Sequence, residues 1–329
     1  MPDLDRRRML AGTIATGAAL AATSAQGQSG TEPASMKGKS ILITGCSSGF
    51  GRLTAEHFAR SGAKVFATMR NLPRPEADEL RGLAASEGLD INVLELDVLD
   101  DAMVIAAVAE AERIAGRGMD ILVNNAGIGI TGPVEVQDMA ATELIFGTNV
   151  LGVQRVLRAA LPAMRAQKAG LVVNISSQLG RVILPAAGHY SATKFALEAL
   201  SEQLAYELVP HGIDVSIIQP GGYPTQVWVN RNRYTSDLKA RVDEERLAGY
   251  PQMTAGMGKE DGSGRSADPM DVPRAIMALA SAAPGTRPLR VPVHPGAKPQ
   301  VPINEVSARV QQEWLGGSGY GPLIRAVHD

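Results

Sequence analysis

Short apolar runs alternate along most of the chain with longer segments of helical periodicity. The apolar runs predict strands over 40–44, 64–68, 91–96, 120–123, 171–175, 215–218 and 290–293. The segments between them place apolar residues three and four positions apart, which predicts helices over 51–61, 75–87, 101–115, 142–167, 189–209 and 272–279. Pro162 falls near the last turn of the fourth helix or at a kink in it. Such alternation is typical of a parallel sheet with helices on both faces.

The same alternation predicts where a ligand would bind. Right-handed crossovers between successive strands give a doubly wound sheet, whose ligand crevice lies at the carboxyl ends of its strands. The regular pattern ends at Pro220. Residues 221–266 mix Gly, Pro, Tyr and Trp with charged stretches and predict a mobile lid with one or two short helices. Residues 296–329 form an extension for which the pattern predicts no placement.

The first residues have a different composition from the rest of the chain. Three consecutive arginines and Met9-Leu10 precede a run of apolar and small residues that ends before Thr23-Ser24-Ala25. This order predicts a twin-arginine signal over 1–25, cleaved after Ala25, followed by a flexible leader over 26–37. The apolar run is too short to span a bilayer as a stable helix. We therefore expect export to the periplasm or beyond; the alternative is a cytoplasmic protein with a disordered tail or a misassigned start.

Composition excludes several classes of function. The chain has 329 residues and a formal net charge of −2, and it lacks a long basic run, which argues against a nucleic-acid partner. Cys46 is the single cysteine, so neither an internal disulfide nor a cysteine-based metal site can form. The five histidines do not follow metal-ligand spacing, and no metal is expected.

A glycine-rich loop joins the first predicted strand to the first predicted helix. Its sequence, TGCSSGFG, lets the backbone approach a pyrophosphate, and the helix that follows offers free N–H groups and the positive end of its dipole. The spacing departs from the G-x-G-x-x-G fingerprint of dinucleotide-binding loops, and a lone glycine-rich turn is weak evidence. Its place between strand and helix predicts contacts to a dinucleotide from Thr44, Gly45, Ser47, Ser48, Gly49, Phe50 and Gly51.

The end of the second strand indicates which nicotinamide cofactor is used. An acid about 20 residues beyond the glycines usually holds the ribose hydroxyls of NAD. Here Met69 occupies that position and Arg70 follows it. A guanidinium suits the 2′-phosphate of NADP, which an acid would repel. The sequence therefore predicts NADP (NADPH) in preference to NAD, with an ordinary exposed arginine as the alternative for Arg70.

Tyr190, Lys194 and Ser177 form a candidate device for proton transfer. Tyr190 and Lys194 stand four residues apart in a helical segment and so share one helix face. A nearby ammonium favours the phenolate, so we expect Lys194 to lower the pKa of Tyr190 from its usual value near ~10. Ser177 follows a predicted strand and can hydrogen-bond a substrate oxygen. The trio predicts alcohol–carbonyl chemistry, although the spacing of tyrosine and lysine alone arises easily by chance.

Further motifs extend this picture to a known family. Asp97-Val98, the NNAG sequence at 124–127, Asn149 in FGTNVLG, and Pro220-Gly221 with Thr225 resemble the fingerprints of the short-chain dehydrogenase/reductase family. The resemblance covers residues 38–295. It implies an α/β fold, a single Rossmann-type doubly wound parallel sheet in strand order 3-2-1-4-5-6-7. It also implies that the cofactor contacts Asp97, Val98, Asn125, Ala126, Gly127, Tyr190, Lys194, Pro220, Gly221 and Thr225.

The resemblance implies a role for each catalytic candidate. Tyr190 would donate a proton to the developing alkoxide during reduction, or remove it during oxidation. Lys194 would lower the pKa of that phenol and hold the ribose hydroxyls of the nicotinamide nucleotide. Ser177 would polarise the carbonyl, and Asn149 would hold a water that links Lys194 to solvent as a proton relay.

A finer likeness concerns the subgroup. LITGCSSGFG, VFATMRN and HYSATKFALEAL are similar to sequences of 17β-hydroxysteroid and retinol dehydrogenases. In the family, helices corresponding to 142–167 and 189–209 form a four-helix contact, which implies a homodimer or homotetramer. A non-catalytic NADP-binding regulator of the same fold is the alternative, although such a protein usually lacks part of the catalytic set. Epimerases and dehydratases among the extended relatives use a different glycine loop.

The predicted substrate wall is largely apolar. It comprises the loop that follows Ser177 and the first part of the lid. An apolar wall favours a hydrophobic or ring-bearing alcohol or ketone, although apolar loop residues often only pack a lid. The candidate lining residues are Gln178, Leu179, Val182, Ile183, Leu184, Tyr223, Val227 and Trp228.

Overall fold

The computed structural model of the chain describes residues 35–329. The predicted signal over 1–25 and most of the leader lie outside the described residues. Seven parallel strands form one sheet in the order β3-β2-β1-β4-β5-β6-β7, which confirms the predicted fold class and strand order. The strands are β1 (Ser40–Ile43), β2 (Lys64–Met69), β3 (Ile91–Glu95), β4 (Ile121–Asn124), β5 (Gly170–Ile175), β6 (Ile213–Pro220) and β7 (Arg290–Val293).

Helices cover both faces of this sheet. On one face a buried cluster contains Phe58, Leu80 and Ile276, which come from three different helices. They pack against the strand side chains that point to that face. On the other face Val104 and Leu157 do the same. The described helices are α1 (Gly49–Arg60), α2 (Pro75–Glu87), α3 (Asp101–Ala115), α4 (Met139–Phe146), α5 (Gly152–Gln167), α6 (His189–Leu208), α7 (Val227–Lys239), α8 (Glu244–Ala248), α9 (Pro251–Thr254), α10 (Asp271–Ser281), α11 (Val301–Leu315) and α12 (Gly321–His328).

The central strand β1 shows why the apolar runs are continuous. Leu42 lies opposite Phe66 of β2 and Leu122 of β4. It belongs to one buried cluster, whereas its neighbours Ile41 and Ile43 belong to the other. Helices bury both faces of this parallel sheet. Residues that point to either face are therefore apolar, and the strand shows no alternation of apolar and polar residues.

The predicted helix over 142–167 is not continuous. The structure divides it into α4, a π-helical turn (Gly147–Leu151) and α5. The first of these helices begins at Met139, after Asp138, whose carboxylate accepts a hydrogen bond from the Ala141 N–H at 2.8 Å. Pro162 lies inside α5. π-Helical turns are rare in proteins. Those that occur often lie at functional sites, because the extra residue redirects the backbone groups around it. This one contains Asn149.

The lid over 221–266 contains three helices, α7, α8 and α9, rather than the one or two that the sequence predicts. Leu238 and Met257 anchor it by packing against Ile128, Ile130 and Ile145 in a third buried cluster. The lid therefore covers the carboxyl end of β4.

Residues 296–329 contribute α11 and α12. These helices pack on α6 and on the end of β6. The Asn304 amide donates a hydrogen bond to Gln219 Oε1 at 2.7 Å. His328 Nε2 lies 2.6 Å from the Tyr206 hydroxyl of α6. Within the described part of the chain, no helix combines the length and the apolar character needed to cross a membrane.

Candidate active site

One cavity of about 1110 Å³ opens at the carboxyl ends of the strands. It lies where β1 and β4 stand side by side and the strand order reverses, the position at which doubly wound sheets bind their ligands. Most of the predicted site residues line it. Three do not: Thr44, Gly51 and Asn149 lie behind the wall. These three support the residues in front of them.

The glycine loop forms a cradle of backbone groups. Gly45 and Gly49 have φ values of 75° and 56°, which favour glycine. Behind them, a methyl group on Gly51 would overlap the Gly45 carbonyl oxygen and the Asn125 amide. Thr44 accepts hydrogen bonds at 3.0 Å from the N–H groups of Asn125 and Ala126, which ties the loop to β4.

The start of α1 fits an anionic ligand. Its N-cap, Ser48, makes no side-chain hydrogen bond to the helix, and the first turn contains no acidic residue. The first N–H groups of the helix are therefore left to a ligand, and the dipole favours negative charge there. This cradle fits the pyrophosphate of a dinucleotide.

At the carboxyl end of β2 the cavity is lined by two arginines, Arg70 and Arg74. β2 ends at Met69, which has Glu95 of β3 as its register partner. The Glu95 carboxylate accepts the Leu72 N–H at 3.0 Å, and the Arg70 guanidinium donates a hydrogen bond to the Tyr234 hydroxyl of α7. Arg74, which the sequence analysis did not single out, also lines this end, but Glu76 pairs with it at 2.8 Å. Asp97 lines the cavity while its carboxylate accepts the Leu99 N–H at 3.0 Å.

Ser177 and Tyr190 meet on one wall of the cavity. Ser177 follows β5, and Tyr190 lies in the first turn of α6. Burial raises the pKa of the Tyr190 phenol, while a hydrogen bond from Ser177 and the charge of Arg231 act in the opposite direction. A raised pKa keeps the proton on the phenol at neutral pH, the form that donates in reduction.

Lys194 lies beside Tyr190 and is held by the main chain at the end of β5. Its Nζ donates a hydrogen bond to the Ile175 carbonyl at 2.9 Å and lies 5.7 Å from the centre of the Tyr190 ring. Burial lowers the pKa of Lys194 to about 8, although the Glu198 carboxylate raises it in part. At the phenol the effect of burial is the largest, so the lowering of the tyrosine pKa by Lys194 stays a prediction.

Asn149 uses its amide to hold the loop after β4. Its Oδ1 accepts the Ile128 N–H at 2.8 Å, and its Nδ2 donates to the Ile128 carbonyl at 2.9 Å and to Thr193 Oγ1 at 3.0 Å. Within the family, the expected role was to hold a water beside Lys194. The side-chain amide is already engaged, so the water relay stays a prediction.

The part of the cavity wall where the sequence predicts the substrate is mainly apolar. Gln178, Leu179 and Val182 line it, together with Ile183, Leu184, Val227 and Trp228. Tyr223 also borders it, but its side chain is only 2% exposed; its ring packs against Phe50 and its hydroxyl donates to Asp271 at 3.2 Å. Tyr223 therefore supports the wall and leaves little surface for a substrate.

The structure adds a charged group that the sequence analysis missed. Glu260 pairs with Arg231 at 2.8 Å and also with Arg265. Both guanidinium groups stack on Trp228, at 4.4 Å and 3.7 Å from its ring centre. We call these four residues the Trp228 cluster. The charged residues within 221–266 were the only signal in the sequence, and nothing in it indicated which of them pair. No group of three metal-binding side chains occurs between residues 35 and 329.

Comparison with known proteins gives a consistent result. A family model described as short chain dehydrogenase matches residues 39–235. The 3-ketodihydrosphingosine reductase of Bacteroides thetaiotaomicron is 39% identical over 197 residues, 60% of this chain and 68% of the relative. Human 17-beta-hydroxysteroid dehydrogenase type 1 is 40% identical over 186 residues (55% and 56% of the two chains), and human retinol dehydrogenase 8 is 38% identical over 193 (57% and 60%).

Solved structures extend the likeness over more of the chain. A short chain dehydrogenase/reductase from Burkholderia phymatum in complex with NAD matches with a TM-score of 0.67 and 25% identity, covering 85% of this chain and 95% of its own. A metagenomic short-chain oxidoreductase in complex with NADP matches with a TM-score of 0.62 and 25% identity, covering 79% and 99%.

Proposed function

The chain belongs to the short-chain dehydrogenase/reductase family, a family of oxidoreductases, and on that premise we propose that it interconverts a hydrophobic secondary alcohol and its ketone, or an alcohol and its aldehyde, with NADP(H). The observation that supports this most directly is the meeting of Ser177, Tyr190 and Lys194 on one wall of the cavity that the glycine loop closes at its other side. A regulator without catalysis would have no need of this arrangement.

The loop at 44–51, the N–H groups of α1 and the wall formed by 125–127 would hold the dinucleotide. The bound nicotinamide supplies or accepts the hydride. Tyr190 gives its proton to the substrate oxygen in reduction and takes it back in oxidation. The Ser177 hydroxyl donates a hydrogen bond to the same oxygen and stabilises the charge that grows there. Lys194, held by the Ile175 carbonyl, stands ready to exchange a proton with the phenol.

Tyr190→Phe tests the proton-transfer role. The hydroxyl is the group that would transfer the proton, so we expect kcat to fall by about 10²- to 10⁴-fold while the affinity for NADPH changes little. NADPH oxidation with a panel of ketones, aldehydes and steroids, and cofactor fluorescence, would measure the two quantities. Substantial turnover by the variant would refute the role of Tyr190. Binding of NADPH by the wild type without turnover of any carbonyl compound would favour the regulator.

The preference for NADP is supported by Arg70 and by the missing acid at the end of β2. We expect Arg70→Met to raise KM for NADPH by about tenfold or more and to leave KM for NADH nearly unchanged, since only NADP carries a 2′-phosphate. Arg81→Met, on the exposed side of α2, is a matched control. A clear preference of the wild type for NADH would contradict the proposal.

Two further expectations stay predictions. The exported location depends on the signal over 1–25. The homodimer or homotetramer depends on the faces of α5 and α6, and measurement of mass in solution would test it.

A further inference from the structure

The Trp228 cluster places an excess of positive charge in the lid. Two guanidinium groups, of Arg231 and Arg265, share the single carboxylate of Glu260. Asp261, the next residue along the chain, is exposed and accepts the Ser263 N–H at 2.8 Å, and hydrogen bonds from Ser263 and the charge of Arg265 lower its pKa. Arg265 therefore has a second negative charge nearby on the solvent side, whereas Arg231 has only its share of Glu260.

Arg231 is poorly satisfied for a group so well covered. Its side chain is 16% exposed, and its buried Nε–H has no acceptor within the described residues. A guanidinium presents its donors in a planar fork that matches a carboxylate, and a buried donor without a partner is costly. Arg231 thus retains hydrogen-bonding capacity on a residue that lines the cavity.

Arg231 also lies close to the reacting end of the site. Its aliphatic stem crosses the loop after β4: a methyl group on Gly129 would lie 3.2 Å from Arg231 Cγ and Cδ. Burial raises the pKa of the Tyr190 phenol, and the positive charge of Arg231 offsets part of that rise. The rest of a ligand whose carbonyl faces Tyr190 would therefore lie within reach of the Arg231 guanidinium.

The rest of the substrate side offers an apolar body a place to bind. Leu179, Val182, Leu184 and Val227 line it. The other acids of the cavity wall, Glu76 and Asp97, lie at the cofactor end, each with a partner in the protein. An apolar wall with excess positive charge at Arg231 is complementary to an amphipathic molecule with a negative group.

We propose that Arg231 binds a carboxylate of the substrate, so that the enzyme acts on an oxo acid and the corresponding hydroxy acid with an apolar body. This inference depends on the proposed oxidoreductase function and names its substrate class. In the complex, the carboxylate takes the free donors of Arg231, and the reacting carbonyl lies against Ser177 and Tyr190.

A series of straight-chain oxo acids, each paired with its methyl ester, tests this assignment. The number of methylene groups between carbonyl and carboxylate increases along the series. We expect the wild type to have a KM for the best acid about 10- to 100-fold below that of its ester. Arg231→Met should remove this difference by raising KM for the acid to the level of KM for the ester. Arg231→Lys should restore part of it, because charge remains without the fork.

Two further variants separate recognition from lid structure. Arg246→Met, an exposed lid arginine outside the cavity, should keep the preference for the acid. Glu260→Gln removes the negative charge beside Arg231 and should lower KM for the acid further. A wild type that reduces esters as well as acids, or an Arg231→Met variant that loses both equally, would overturn the inference and assign Arg231 a purely structural role.

Thermal stabilisation by unreactive ligands gives a readout that does not depend on turnover. Straight-chain fatty acids should raise the Tm of the wild type saturated with NADPH, and the alcohols of the same chain length should raise it less. Arg231→Met should abolish the difference. Equal effects of acids and alcohols on the Tm of the wild type would refute carboxylate binding, even if no carbonyl compound is turned over. Failure of the proposed function would appear separately, as absence of turnover with every carbonyl substrate.

Discussion

Lys194 illustrates how the site opposes the stability of the fold. Its ammonium is buried, with one hydrogen bond to the Ile175 carbonyl and the Glu198 carboxylate one turn further along α6. Removing a charge from water is unfavourable, and this is why the pKa of Lys194 falls to about 8. The protein tolerates this cost at a position where it needs a group that can gain or lose a proton.

Lys194→Met should therefore stabilise the protein at neutral pH while it abolishes activity. In the unfolded chain the lysine pKa is near 10.5, so below pH 8 both states of the wild type are protonated and the folded state bears the full cost of burial. We expect a gain in the free energy of unfolding on the order of 2 kcal/mol at pH 7. The gain should shrink as pH rises from 8 to 10.5.

Chemical denaturation at pH 7 and above pH 10 would measure this gain. Lys298→Met, at an exposed lysine, serves as control and should show no such pH dependence. A destabilised Lys194→Met variant at pH 7 would show that the hydrogen bond to Ile175 outweighs the cost of desolvation.

At the scale of elements, the turn between β1 and α1 depends on close approach of backbone to backbone. Gly51 lies in α1 against the Gly45 carbonyl, and Asn125 of the β4 loop donates hydrogen bonds to the carbonyls of Thr44 and Gly45. Any side chain at Gly51 would move the helix away from the loop. The free N–H groups of α1 would then lose their position beside the pyrophosphate.

Gly51→Ala should weaken NADPH binding by about tenfold or more, since the methyl group would displace the loop. Gly82→Ala is a matched control, because Gly82 is also helical but has open space where a Cβ would stand. There alanine should raise stability by up to about 1 kcal/mol, because it has a higher helix propensity. Fluorescence titration and thermal denaturation of both variants give the comparison. Unchanged affinity in Gly51→Ala would show that the loop can relax.

Across the whole molecule, a buried network joins the last strand, the catalytic helix and the C-terminal helices. Arg290 of β7 pairs with Glu198 at 2.8 Å and Glu202 at 2.6 Å, and its side chain is only 6% exposed. His328, near the end of the chain, lies 3.4 Å from Glu202. The pKa of Glu202 is held well below its usual range by His328, Arg290 and Tyr206, against the effect of burial.

Arg290→Met should destabilise the protein by about 3 to 5 kcal/mol at neutral pH, because it leaves the buried carboxylate of Glu198 and the partly buried one of Glu202 without Arg290. The loss should shrink as pH falls, since the wild type gains the stabilisation of Glu202 only while that carboxylate is charged. Arg309→Met removes an exposed pair on α11 and should change stability by less than about 1 kcal/mol. Equal Tm values for the two variants would contradict the role of the network.

The sequence alone determined that a doubly wound parallel sheet forms, and the resemblance of its motifs to a known family implied the strand order. Apolar runs such as β1 and the helical periods between them depend on neighbours along the chain, and right-handed crossovers restrict the topology that joins them. The same local logic located the glycine loop, and it placed Ser177 at the end of β5 and Tyr190 at the start of α6. Such features need only residues that are close in sequence.

Only the tertiary structure decided what each group meets in space. It inserted the π-turn at Asn149, turned Lys194 towards Ile175 and paired Arg231 with Glu260. It also folded 296–329 onto α6, where His328 reaches Tyr206. These contacts join residues far apart in sequence, and burial, which sets the pKa of Tyr190 and Lys194, is a property of the packed molecule. Local patterns encode neither of these quantities.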